Sequence, residues 1–75
     1  MTILTFGKLT ELTGHTNLEV AFVPDTDSLK ALLVARFPEL GSMKYFLALD
    51  NKLVQANTDI PAGATVAIMP PFSGG

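Results

Sequence analysis

The chain has 75 residues, of which 48% are hydrophobic and 16% charged, a composition typical of one folded domain spanning residues 1–75. Its net charge of −2, with five scattered basic residues, argues against a nucleic-acid partner. Cysteine is absent, which excludes disulfides and thiolate metal sites, and no apolar stretch approaches the roughly 20 residues that span a bilayer, so we expect a cytoplasmic protein without a membrane partner.

The first predicted elements are two short strands around a helical turn. The β-branched and aromatic segment TILTF favours a strand, and the GKLTELTG segment after it favours a single helical turn that ends at Gly14. NLEVAFV alternates Leu18, Val20 and Phe22 with Asn17, Glu19 and Ala21, the period of a half-buried strand. The two strands are predicted to form a β-hairpin with a wide loop.

One main helix is predicted in the middle of the chain. Its apolar stripe is formed at helical spacing by Leu29, Leu32, Leu33 and Phe37. Pro24 and the cluster Asp25-Thr26-Asp27 supply capping candidates at its start, and Pro38 ends it.

The second half of the chain is predicted to return to strands. KYFLALD favours a strand that is apolar on both faces, Asp50-Asn51 suits a tight turn with positive φ, and KLVQ forms a short strand. TDIPAGA is a turn-rich crossing, and TVAIMP is a final strand terminated by Pro70.

This order of elements predicts an α+β fold with a mixed sheet packed on one main helix, because one helical stripe covers only one face of one sheet. Alternation along the strands turns Ile3, Val66 and Ile68 towards the helix. The opposite, partly uncovered face then receives Leu4, Phe6, Leu53 and Met69.

Residues that could support catalysis are few and unsupported. His15 is the only histidine and lies in a predicted loop, so no metal site or acid–base role is assigned to it. The acidic residues are better explained as caps and turns than as a calcium loop, and the serines have no base partner. The sequence therefore does not predict an enzyme, and no cofactor of its own or metal is expected.

The last residues, MPPFSGG, are chemically unusual. Pro70 and Pro71 stiffen the exit from the last strand, and Gly74 and Gly75 have no Cβ atoms to obstruct a narrow channel. The four residues after Pro71 reach about 13 Å when extended, so residues 71–75 are predicted to form an extended tail with Phe72 as an apolar anchor. The alternative is an unstructured end of small residues.

The whole chain resembles the small subunit of molybdopterin synthase, the sulfur carrier of molybdenum cofactor biosynthesis. The resemblance is based on PPFSGG after the strand TVAIM, with weaker matches in TFGKLTELTG and FLALDNKLV. It implies a ubiquitin-like β-grasp fold with a flexible Gly-Gly tail. Two departures concern partner contacts: Thr10 replaces an arginine common in the family, and PAGATVA lacks the usual acidic residues.

The resemblance also implies a function for the tail. An E1-like activating enzyme adenylates Gly75 with ATP, a sulfur donor protein supplies sulfur for the thiocarboxylate, and the large subunit of molybdopterin synthase receives the tail. Sulfur is transferred there to a precursor pterin, by catalytic residues expected on the large subunit. The residues that enter the partner are Pro70, Pro71, Phe72, Ser73 and Gly74.

By motif position, the family's partner-facing patch falls on Phe6, Leu53 and Met69, for which ordinary core packing is the alternative. Two other functions stay open. A sulfur carrier of thiamine synthesis shares the fold and the Gly-Gly ending but usually lacks the paired prolines. A ubiquitin-like modifier or interaction module would form an isopeptide bond or undergo no chemistry.

Overall fold

The computed structural model describes residues 1–71. The predicted tail residues Phe72, Ser73, Gly74 and Gly75 lie outside the described residues. Two α-helices, α1 over Lys8–Thr13 and α2 over Thr26–Arg36, accompany five strands and a 3-10 helix over Pro38–Ser42. The strands are β1 (Thr2–Thr5), β2 (Asn17–Glu19), β3 (Phe46–Leu49), β4 (Lys52–Val54) and β5 (Val66–Met69).

The five strands form one mixed sheet in the order β2-β1-β5-β3-β4. The central pair β1 and β5 is parallel and joins the two ends of the chain, with Ile3 opposite Val66 and Thr5 opposite Ile68. All other neighbouring strands are antiparallel. The β-grasp architecture predicted for the chain, a mixed sheet on one main helix, is confirmed.

The core lies between α2 and one face of the sheet. Leu29 and Leu33 of α2 are fully buried, as are Ile3, Val66 and Ile68 of the sheet, which confirms the predicted inward face. Helix α1 adds Leu9 to the same cluster. The helix ends at Gly14, as predicted, and the φ of this glycine is 78°, a left-handed conformation that is common at helix ends.

One expectation about local structure is wrong. Phe22 was predicted to alternate inwards with Leu18 and Val20, but β2 ends at Glu19 and Phe22 is 52% exposed. The Val20 N–H still donates to the Met1 carbonyl, but β2 has already ended at Glu19, so the alternation of a strand no longer applies at Phe22. The segment after Phe37 is a 3-10 helix that buries Leu40.

Helix α2 begins with the predicted acidic cap. The hydroxyl and the amide of Ser28 donate to the Asp25 carboxylate at 2.7 and 3.2 Å. These hydrogen bonds hold the pKa of Asp25 below its usual value of 3.8, and the bond from the Ser28 hydroxyl has the largest effect. A further hydrogen bond connects the same turn to the loop before β5: the Asn57 side-chain oxygen accepts from the Asp27 N–H at 2.9 Å.

The cap predicts a pH-dependent stability. Asp25→Ala is expected to lower the melting temperature at pH 7 and to have a smaller effect at an acidic pH below the pKa of the folded carboxyl group. The sign follows from the lowered pKa: the contribution of the carboxylate is present above the pKa of the unfolded chain and is lost as pH falls through the pKa of the folded one. Thermal unfolding followed by circular dichroism at both pH values measures the difference.

Asp25→Asn is the matched control for this experiment, because it keeps a capping oxygen without a titrating proton. It should retain most of the stability at pH 7 and lose the acid dependence. An equal loss for Asp25→Ala at both pH values would show that the ionised cap does not stabilise the fold.

Candidate functional site: an open apolar face beside the tail exit

The face of the sheet opposite α2 contains a shallow apolar depression of about 320 Å³. Phe6 is 48% and Leu53 is 49% exposed, which is unusual for side chains of their size and polarity. The lining residues come from β1, β3, β4, β5 and the turns next to them, and are Leu4, Phe6, Ala48, Asn51, Leu53, Thr65, Ala67 and Met69.

The register of the sheet explains the shape of the depression. Four residues lie side by side across the strands in the order Leu4, Ala67, Ala48, Leu53. The two alanines form a low floor in the middle, and the larger leucines form its walls. Sequence reasoning missed the alanines, although their alternation with the buried Leu47 and Val66 places them on this face.

One end of the depression coincides with the place where the chain leaves the sheet. Met69 is the last residue of β5, and Pro70 follows it against Gly7. A Cβ on Gly7 would lie 3.0 Å from Pro70 Cγ, and the φ of this glycine is +59°, so both space and backbone conformation require glycine here. The Phe6 N–H donates to the Ile68 carbonyl at 3.2 Å and so fixes Phe6 beside the exit.

Gly7 is a further residue that sequence reasoning did not assign to the site. The sequence offers only a weak signal for it, a glycine between a strand and a helix. Its contact with Pro70 depends on the parallel pairing of β1 with β5, which unites residues from opposite ends of the chain.

The other end of the depression is polar. Asp50 and Asn51 both have positive φ, 50° and 68°, as predicted for the tight turn between β3 and β4. The Asp50 carboxylate accepts from the Thr65 N–H at 2.9 Å, and the Asp50 N–H donates to the Thr65 carbonyl at 2.8 Å. These two hydrogen bonds connect the turn to the start of β5, and the first of them occupies an oxygen of the Asp50 carboxylate.

The structure brings together the three residues predicted for the partner-facing patch. Phe6, Leu53 and Met69 line the same depression, and Pro70 and Pro71 follow at its exit end. His15 is exposed in the loop after α1 and does not line the depression. Within residues 1–71, no group of three or more metal-ligating side chains exists, and no helix there is long and apolar enough to cross a bilayer.

Tyr45 lies next to the exit end, immediately before β3, and packs against the core. Burial raises the pKa of its phenol above the usual value of 10.0. The phenol is therefore neutral at physiological pH and adds no negative charge to this end of the sheet.

The fold is the β-grasp fold of small ubiquitin-like proteins. The model of the ThiS family matches residues 3–75, and the chain belongs to the ThiS family. Proteins of this family are small sulfur carriers without catalytic activity of their own, and E1-like enzymes activate them.

A solved structure agrees with this fold. SAMP1 from Haloferax volcanii has a TM-score of 0.72 and 24% sequence identity, and the match covers 99% of this chain and 97% of SAMP1. At 24% identity, this likeness shows a shared fold and nothing more.

Proposed function

We propose that this protein is the sulfur carrier of molybdenum cofactor biosynthesis, the small subunit of a molybdopterin synthase. Residues 1–75 act as one domain, and the carboxyl group of Gly75 carries the sulfur. The observation on which the proposal depends is the family match, which runs through Gly75 and so includes the tail. The ending PPFSGG favours the molybdenum pathway within that family.

The chemistry needs only the main-chain carboxylate of this protein. The carboxylate attacks ATP in the active site of an E1-like enzyme and forms an acyl-adenylate with loss of pyrophosphate. A sulfur nucleophile at the oxidation level of hydrogen sulfide, supplied by a donor protein, then displaces AMP and leaves a thiocarboxylate. In the large subunit of the synthase, the thiocarboxylate sulfur bonds to a carbon of the precursor pterin, and water then cleaves the acyl–sulfur bond, which leaves the sulfur on the pterin and regenerates the carboxylate.

The apolar depression is proposed to bind these partners in turn. Phe6, Leu53 and Met69 supply the exposed apolar surface, of the kind that marks interfaces on small monomers. Because the chain leaves the sheet at the same end, a partner bound to the depression has the base of the tail directly beside it. Pro70, Pro71, Phe72, Ser73 and Gly74 are proposed to enter the partner's channel and present Gly75.

Intact mass spectrometry tests the carrier role. The full chain is incubated with ATP, an E1-like activating enzyme and a sulfur donor protein, and a mass increase equal to replacement of one oxygen by sulfur is expected. Omission of ATP is the control and should leave the mass unchanged. An unchanged mass with an activating enzyme that loads another member of the family would contradict the proposal.

A second assay separates the pathway from the carrier role. The thiocarboxylate form is mixed with a molybdopterin synthase large subunit and precursor pterin, and the expected result is loss of the added sulfur mass together with a sulfur-containing pterin. A thiamine-type carrier, which shares the fold and the Gly-Gly ending, would keep its sulfur in this mixture. A ubiquitin-like modifier would instead appear as an isopeptide adduct on another protein.

A further inference from the structure

Two lysines lie next to the exit end of the sheet, one in the segment after β1 and one in the segment before β3. Lys44 lies two residues before Phe46, the residue opposite Met69 in the sheet. Ala48 of β3 lines the depression, and Tyr45, between Lys44 and β3, packs against the core, so Lys44 lies in the segment that enters β3 at the exit end. Lys44 is exposed.

Lys8 occupies the corresponding place on the β1 side. It follows Gly7, the residue in contact with Pro70, and it begins α1, which Leu9 anchors in the core. Since β5 lies between β1 and β3, Lys8 and Lys44 flank the chain where it leaves the sheet. We refer to Lys8 and Lys44 as the lysine pair.

The charge of the lysine pair is not neutralised within residues 1–71. Neither lysine forms an ion pair there, including with Glu11, which lies one helical turn after Lys8. The carboxylate next to the depression, that of Asp50, lies at the opposite end and is engaged by Thr65. A chain with a net charge of −2 thus presents two positive charges, unpaired within residues 1–71, beside the place where its tail leaves.

We propose that the lysine pair recognises carboxylates around the mouth of the partner channel that receives the tail, an inference that rests on the proposed function. The partner surface then has an apolar projection that fits the depression and an acidic rim beside it. Such complementarity accelerates encounter and orients the carrier with its tail towards the channel, because opposite charges steer diffusion before contact.

Stopped-flow association with the E1-like activating enzyme tests this proposal. The double variant Lys8→Gln/Lys44→Gln is compared with Lys30→Gln/Lys52→Gln, which carries the same net charge, −2 − 2 = −4. Lys30 is on α2, on the other side of the sheet, and Lys52 lies opposite Leu49 near the Asp50 turn. The control therefore changes total charge without changing the exit end.

At low ionic strength, the lysine-pair variant is expected to associate about 10-fold more slowly than the unchanged chain, and the control less than about 2-fold more slowly. The difference should disappear near 1 M salt, where the Debye length falls to about 3 Å. Melting temperatures of both variants should match that of the unchanged chain, and Lys8→Arg/Lys44→Arg should restore the rate.

Equal rates for the two glutamine variants, or a difference that persists at high salt, would overturn the proposal. That result would leave the proposed function intact, since the mass assay at saturating partner concentration would still show sulfur loading. Failure of the unchanged chain to be loaded would instead contradict the proposed function itself.

Discussion

A chain without Gly75 is expected to lose sulfur loading by about 100-fold or more and to melt at the temperature of the intact chain. The shortened chain still ends in a glycine carboxylate, but that group falls one residue, roughly 3.3–3.6 Å, short of the position that the intact tail reaches. A displacement of about 1 Å at a reacting group can lower a rate about 100-fold.

The fold should not respond to this deletion, because the buried cluster is formed by residues between Ile3 and Ile68. Intact mass after a fixed incubation with ATP, activating enzyme and sulfur donor measures loading, and calorimetry measures melting. Gly75→Ala keeps the length of the tail and adds one Cβ, so it distinguishes the effect of tail length from that of side-chain size. This variant should be loaded better than the shortened chain. Full loading of the shortened chain, or a fall of several degrees in its melting temperature, would contradict the proposed role of the tail.

Phe6→Asp is expected to weaken binding of the activating enzyme by about 2–4 kcal/mol, or roughly 30-fold to 1000-fold in Kd. An aspartate at this position would be buried without a partner when the apolar depression is covered. In the free protein the side chain is 48% exposed, so the charge stays in water and the melting temperature should change little. Titration calorimetry with the activating enzyme measures the affinity.

Phe22→Asp is the matched control, because Phe22 has a similar exposure of 52% but does not line the depression. Its affinity should stay within about 2-fold of the unchanged chain. Leu53→Asp, on the opposite wall of the depression, should reproduce the loss. Unfolding of Phe6→Asp alone would assign Phe6 to the core, and equal losses for Phe6→Asp and Phe22→Asp would show that the depression is not the interface.

Much of the architecture follows from patterns in the sequence. Residues at helical spacing, such as Leu29 and Leu33, locate α2 and its buried side. The period of two in the first and last strands correctly separates Ile3 and Ile68, which are buried, from Phe6 and Met69, which line the open face. The positive φ of Asp50 and Asn51 follows from residue types that tolerate this conformation.

Hydrophobic periodicity did not predict the exposure of Phe22. A pattern of alternation states which side a residue would face within a strand, but a strand continues only while a neighbour supplies backbone partners. The registered pairing of β1 with β2 ends with Thr2 opposite Glu19, so the apolar alternation of the sequence extends beyond β2.

By itself, the sequence determined the elements, the two faces of the sheet and the Gly-Gly ending, because each depends on residue type and local spacing. Only the tertiary structure decided which residues became neighbours: Gly7 against Pro70, the alanine floor between two leucines, and the lysine pair in the segments after β1 and before β3. The physical reason is that these contacts depend on strand order and register. Long-range backbone pairing, above all the parallel pairing of β1 with β5, fixes that order, whereas local periodicity is the same for every possible order.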